Sequence, residues 1–174
     1  MMTFTRSSLL LCCAFSPLTA LASGLHISPD IKLGPYWQAG VSGAGLQLGV
    51  NDIWGLDALY ISYSHLSAEH YIDKDRLKTY RIGTQHLLVN RSNKMALQLE
   101  AGLVEYQGVR DYILTDKKRY AEGTGGSVSA AWVMFVNDNV GFRAGMDVNY
   151  INQKNTLFGT HWSTTFNTGV VLHF

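Results

Sequence analysis

Between Thr160 and Phe174 the chain alternates. Trp162, Phe166, Val170, Leu172 and Phe174 fall on one parity, and His161, Ser163, Thr165, Asn167 and His173 on the other. A strand sends alternate side chains to opposite faces, so one face here is apolar and the other mostly polar. The rhythm recurs upstream. Leu25, Ile27, Ile31 and Leu33 oppose His26, Ser28, Asp30 and Lys32; Met95, Leu97, Leu99, Ala101 and Leu103 oppose Gln98, Glu100 and Gly102; Val140, Phe142, Ala144, Met146, Val148 and Tyr150 oppose Gly141, Arg143, Gly145, Asp147 and Asn149. Repeated along a chain, this pattern builds a sheet between two unlike environments.

Turn clusters set the strand count. Asn51-Asp52, Arg91-Ser92-Asn93-Lys94 and Asn137-Asp138-Asn139 are short polar turns of the kind that join hairpins. Longer polar stretches lie between them at 68–76, 108–122 and 153–159. The spacing predicts eight strands, at 25–34, 40–50, 56–67, 77–90, 95–107, 123–136, 140–152 and 160–174. Short turns at one end and longer loops at the other suit a membrane barrel, and an even count is required of one. Pro29 lacks a donor for the ladder, so the first strand is expected to carry an edge or bulge there. In the fourth strand, Thr84 and His86 share the otherwise apolar parity of Tyr80, Ile82 and Leu88.

Composition narrows the class further. The formal net charge is +1, and near-neutrality argues against nucleic acid, which selects for basic stripes. Arg6, the apolar run Leu9 to Phe15 and the small-x-small element Ala20-Leu21-Ala22 predict a signal peptide over 1–22, with the mature domain over 23–174. Both cysteines, Cys12 and Cys13, fall inside that leader, so no disulfide or thiol site is expected in the mature domain. No apolar run after the leader is long enough for a spanning helix.

The closing segment resembles the last strand of bacterial outer-membrane β-barrels. In that family a terminal aromatic residue preceded by alternating apolar positions is read by the barrel-insertion machinery, a role that falls to Phe174 here. The resemblance implies an all-β fold: an eight-stranded antiparallel transmembrane up-and-down β-barrel of a Gram-negative outer membrane. In size and strand count the chain is similar to the OmpA transmembrane domain and the OmpX/Ail group. Its apolar parity would face lipid and its polar parity the lumen. Outer-membrane lipid and lipopolysaccharide would be its surroundings, a monomer its state, and no cofactor or metal is expected.

On that parity the lumen receives Asp30, Lys32, Arg81, Glu100, Arg143 and Asp147, three of each sign. Buried charges are costly unless paired, so balanced signs predict a closed network, with Gln47, Gln85, Gln98 and Asn149 completing its hydrogen bonds. The recurrent inward glycines (Gly43, Gly45, Gly49, Gly83, Gly102, Gly141, Gly145 and Gly169) make room for long side chains in a narrow barrel. Tyr36, Trp37, Trp54, Tyr60, Tyr63, Tyr106, Tyr150, Phe158 and Trp162 gather near strand ends, as interfacial girdles do.

One constellation has catalytic chemistry. His65 and Ser67 share a strand face with Leu59, Ile61 and Tyr63. A base and a nucleophile on one face can activate each other if a third group orients the imidazole. The pair looks like the His-x-Ser element of the PagL-type lipid A deacylases, barrels with a Ser-His-Glu site facing the outer leaflet. Carried over, Ser67 would be the nucleophile and His65 the base. The family follows its serine with Asn and places its acid about a dozen residues on; here Ala68 and Glu69 follow, and Thr79 stands at the acid's place. Asp73 or Asp75 would have to serve instead. His161 and Ser163 repeat the spacing on the luminal parity of the last strand.

In the third outward loop Arg110, Lys117, Lys118 and Arg119 are candidates to meet lipopolysaccharide phosphates. The sequence therefore predicts a non-catalytic envelope protein that interacts through loops and lipid face. An outer-leaflet acyl-ester hydrolase using Ser67, His65 and Asp75 is the first alternative, and a small ion channel the second.

Overall fold

In a computed structural model the chain forms a closed barrel in which each strand pairs antiparallel with its neighbour in sequence and the last closes on the first. The strands are β1 (Gly24–Leu33), β2 (Val41–Ile53), β3 (Leu56–His70), β4 (Asp73–Asn90), β5 (Asn93–Asp111), β6 (Lys118–Phe135), β7 (Val140–Ile151) and β8 (Trp162–His173). The structure describes residues 24–35, 40–70, 73–90, 93–112, 118–157 and 160–174. The leader expected over 1–22, together with Tyr36, Trp37, Lys117 and Phe158, lies outside them.

The fold is the eight-stranded up-and-down barrel that the alternation requires, and its faces are inverted relative to a soluble protein. Ile82 is 65% exposed and Leu103 67%, while Arg81 is 3% and Arg143 1% exposed. Leu25, Leu48, Ile61, Val128, Phe142 and Phe166 are exposed on the same outer wall. A wall of that composition is stable against hydrocarbon, not water.

The middle strands run further than the sequence predicts. The stretches 68–76 and 108–122, expected as loops, are mostly strand. Their inward positions explain this. Leu66, Ala68, Leu77, Val104, Tyr106 and Ile151 are buried together inside the loop end of the barrel, with Ala121 against them. An internal core holds the sheet together beyond the polar turn residues. β5 has 19 residues; at about 3.3 Å per residue and a tilt near 45° it stands about 45 Å tall, against an apolar band of about 25 Å. β1 has 10 residues and β8 has 12. The barrel is therefore tall on the β3–β6 side and low at the β8–β1 seam.

Two local expectations are corrected. The first hairpin does not turn at Asn51-Asp52. Asn51 stays in β2, where its side chain donates to Leu25 O at 3.1 Å. The turn falls at Trp54-Gly55, where Trp54 and Gly55 both take positive φ, 54° and 78°. Pro29 lies at neither an edge nor a bulge. It pairs with Leu46 of β2 in unbroken register. On its other side the β1–β8 register pairs Ile27 with Leu172 and resumes at Asp30 with Gly169, leaving Ser28 and Pro29 without partners in the ladder.

Candidate functional site

The interior is filled by one polar network. Lys32 Nζ lies 3.1 Å from Asp30 and 2.8 Å from Asp147. Asp147 is 3.1 Å from Arg81, whose Nε is 2.9 Å from Glu100. Glu100 is 2.9 Å from Arg143 Nη2, and Arg143 Nη1 returns to Asp30. The six charges alternate in sign around a closed cycle, and every one of these side chains is at most 3% exposed. Pairing on both sides offsets the desolvation cost of each charge.

Polar side chains extend the cycle toward the turn end. Gln47 Nε2 donates to Glu100 at 2.5 Å, and Ser62 donates to Glu100 at 2.8 Å. Gln98 donates to Gln85 at 2.9 Å. His26 contacts Gln47 and His173, each at 3.2 Å, and stacks on Tyr60 with centroids 4.8 Å apart. Below them Ala96, Val133 and Val171 form an apolar floor with Leu87 and Phe135. Asn149 is buried, and its Oδ1 has no hydrogen-bond partner among the described residues. Asn167, from β8, donates to Asp147 at 2.9 Å.

Tyr60 and Tyr106 are not girdle residues, because both point inward and are buried. Gly83 faces Tyr60: a Cβ at Gly83 would lie 2.5 Å from the ring. Tyr106 spans the loop-end core; its hydroxyl donates to Asp75 and accepts from Leu157 N at 3.0 Å. Sequence parity alone could have moved both tyrosines inward: Tyr60 shares the parity of Ser62 and Ser64, and Tyr106 that of Gln98 and Glu100.

The outer wall holds the remaining candidates. His65 and Ser67 do face outward together, Ser67 exposed and His65 half-buried. Asp75 does not join them. It is fully buried inside the barrel and engaged by Tyr106, on the opposite face of the sheet. His65 Nδ1 has no hydrogen-bond partner among the described residues. Among the described residues no acid engages the imidazole through that nitrogen, and general-base activation of a serine needs such an orienting group. Of Asp73 only the backbone place is described, opposite His70. Ser163 is buried in the lumen, but His161 is not luminal. It precedes β8 and stacks on the outward ring of Tyr150, with centroids 5.7 Å apart.

The loop cations are partly engaged. Lys118 pairs with Asp111 at 3.3 Å, and Arg110 donates to Leu157 O at 3.5 Å. Arg119 is exposed opposite Arg110. A more ordered cationic row stands on β4, where Lys74, Arg76 and Lys78 share the outward parity of Tyr80 and Ile82. Sequence reading missed it because it assigned Lys74 and Arg76 to a loop. Among the described residues, no three His, Cys, Asp or Glu side chains are grouped to hold a metal ion.

No family model matches the chain, and no curated protein matches it. Solved structures do. The Neisserial surface protein A barrel superposes with a TM-score of 0.58 at 20% identity, over 88% of this chain and 99% of that one. The N-terminal β-barrel domain of Pseudomonas aeruginosa OprF gives 0.58 at 16% identity, over 88% and 98%. The attachment invasion locus protein Ail of Yersinia pestis gives 0.52 at 10% identity, over 87% and 97%. With its apolar outer band and charged interior, the chain is a multi-pass β-barrel of the outer-membrane type, sharing the fold of these small barrels.

Proposed function

We propose that this barrel is a non-catalytic envelope protein that acts through its outer wall and outward loops. The observation that carries the reading is the occupied interior. An ion-pair cycle fills the middle, and an apolar core sits over it at the loop end. Charged pairs and apolar side chains standing across the axis support partners that meet the outside rather than the lumen. Among the structural relatives are a surface protein and an attachment invasion locus protein, which supports an outward-facing role here.

Lipid and lipopolysaccharide are the surroundings of that outer wall. The loop cations Arg110, Lys117, Lys118 and Arg119 are one point of contact with external phosphates. The outward row Phe166, Val170, Leu172 and Phe174 is the feature the barrel-insertion machinery would read. The hydrolase alternative is weakened by Asp75, which lies on the wrong face for His65.

The deciding experiment compares lipid A by mass spectrometry with and without the expressed protein, and again with Ser67→Ala. An identical acyl pattern in all three is expected. Loss of an acyl chain that depends on Ser67 would replace this reading with the hydrolase.

A further inference from the structure

The outer wall carries a second feature beyond its general greasiness. A groove of about 530 Å³ runs over β2 to β5, lined by Leu48, Ile61, Tyr63, Tyr80, Ala101 and Leu103 among others. That volume lies within the range of small-ligand pockets, about 300–1,000 Å³. Ala101 is the small residue between Leu99 and Leu103 on the outward parity of β5, which helps leave the hollow open. Tyr63 and Tyr80 meet at its loop-end rim, ring centroids 5.3 Å apart.

Register fixes what stands just above that rim. Tyr63 pairs with Tyr80, and Tyr80 with Leu103. Two residues toward the loop end, His65 pairs with Lys78, and Lys78 with Glu105. Two further, Ser67 pairs with Arg76, and Arg76 with Gln107. All six side chains take the outward parity of the groove. Lys74, next along, is paired with Glu69 at 3.3 Å. Arg76 and Lys78 form no ion pair with a described carboxylate.

We propose that this wall binds an outer-leaflet lipid with a phosphorylated headgroup, an acyl chain lying in the groove and a phosphate on Arg76 and Lys78. The inference rests on the non-catalytic reading above, since it makes His65 and Ser67 headgroup contacts. The order of features along the strands matches the order along such a lipid: hydrocarbon, interfacial rings, then cations with hydrogen-bonding side chains beside them. Arg76 offers a planar fork for phosphate, and Lys78 a point charge. Glu105 stands beside Lys78 with the wrong sign for an anion, and its presence makes a specific prediction.

The test uses the folded barrel in neutral detergent and native mass spectrometry, with diphosphorylated lipid A, its dephosphorylated form and inorganic phosphate as probes. Wild type should retain the diphosphorylated lipid over the dephosphorylated form and hold no inorganic phosphate. The double variant Arg76→Gln/Lys78→Gln should bind diphosphorylated lipid about tenfold more weakly, and Glu105→Gln severalfold more tightly. Ala101→Trp should reduce binding of both lipids, while Lys94→Gln, a cation at the turn end of the barrel, should leave both unchanged. Heat-modifiable gel mobility verifies that each variant is folded, which is expected because Arg76, Lys78, Ala101 and Glu105 point away from the closed interior. Unaltered binding in the double variant overturns the site, as does a loss seen in Arg110→Gln/Lys118→Gln/Arg119→Gln and absent from the double variant. A bound lipid lighter by one acyl chain overturns the non-catalytic reading instead and leaves the site standing.

Discussion

Lys32 Nζ and Asp147 Oδ2 lie 2.8 Å apart inside the barrel, although 115 residues separate them in the chain. Each has a second ionic partner, Asp30 for the lysine and Arg81 for the aspartate. Removing one member leaves the other buried and short of a counter-charge. Lys32→Met should therefore destabilise the barrel by about 3–5 kcal/mol. Adding Asp147→Leu should recover part of that loss. Urea unfolding in detergent, followed by tryptophan fluorescence, measures both. A Lys32→Met barrel as stable as wild type would mean that the cycle is not holding the strands together.

Tyr60 and Gly83 should be coupled. Gly83→Ala places a methyl 2.5 Å from the Tyr60 ring and 2.7 Å from Glu100 Cγ, so the ring must shift from its stack on His26. A loss of about 1–3 kcal/mol is expected, as for overpacking. Tyr60→Leu, harmful alone, should absorb much of that cost when combined with it. A double-mutant cycle with no interaction energy would refute the contact.

The loop end depends on Tyr106. Its hydroxyl joins Asp75 to Leu157 N, and Tyr106→Phe leaves a buried carboxylate short of a donor. A loss of about 1–3 kcal/mol is expected, together with faster protease nicking after β7, around 152–161, where Leu157 is anchored. Unchanged cleavage would show that the hydroxyl does not tether that segment.

The wild-type barrel should be electrically silent in planar bilayers. Opening it requires breaking both the ionic cycle and the apolar core above it, so Lys32→Ala alone should stay silent as well. Stepwise conductance from the wild type would restore the channel reading.

Much of this was legible in residue parity. Alternation with a period of two places Asp30, Lys32, Arg81, Glu100, Arg143 and Asp147 on one face before any coordinates exist, and the sign balance is visible too. Partner choice within the set was not, because strand tilt and stagger decide which charges meet. Asp75 shows the same limit. It is a substitute acid for the His65–Ser67 pair on sequence grounds, Thr79 standing at the family's acid position, yet the β3–β4 register places it opposite Ala68 and on the other face. The polar appearance of 68–76 and 108–122 concealed strands that send Ala68 and Ala121 into an apolar core and Asp75 onto the Tyr106 hydroxyl. Tyr60 and Tyr106 were misread because ring type was allowed to outweigh parity.

The unequal strand lengths give the molecule a front and a back. β4, β5 and β6 carry 18, 19 and 18 residues, and they rise as a half-collar beyond the seam where β1 and β8 stop. A large body descending from the medium touches that parapet first. The loop-end tips of β1 and β8 sit in its lee, sheltered from flat surfaces but open to slender chains that come in sideways.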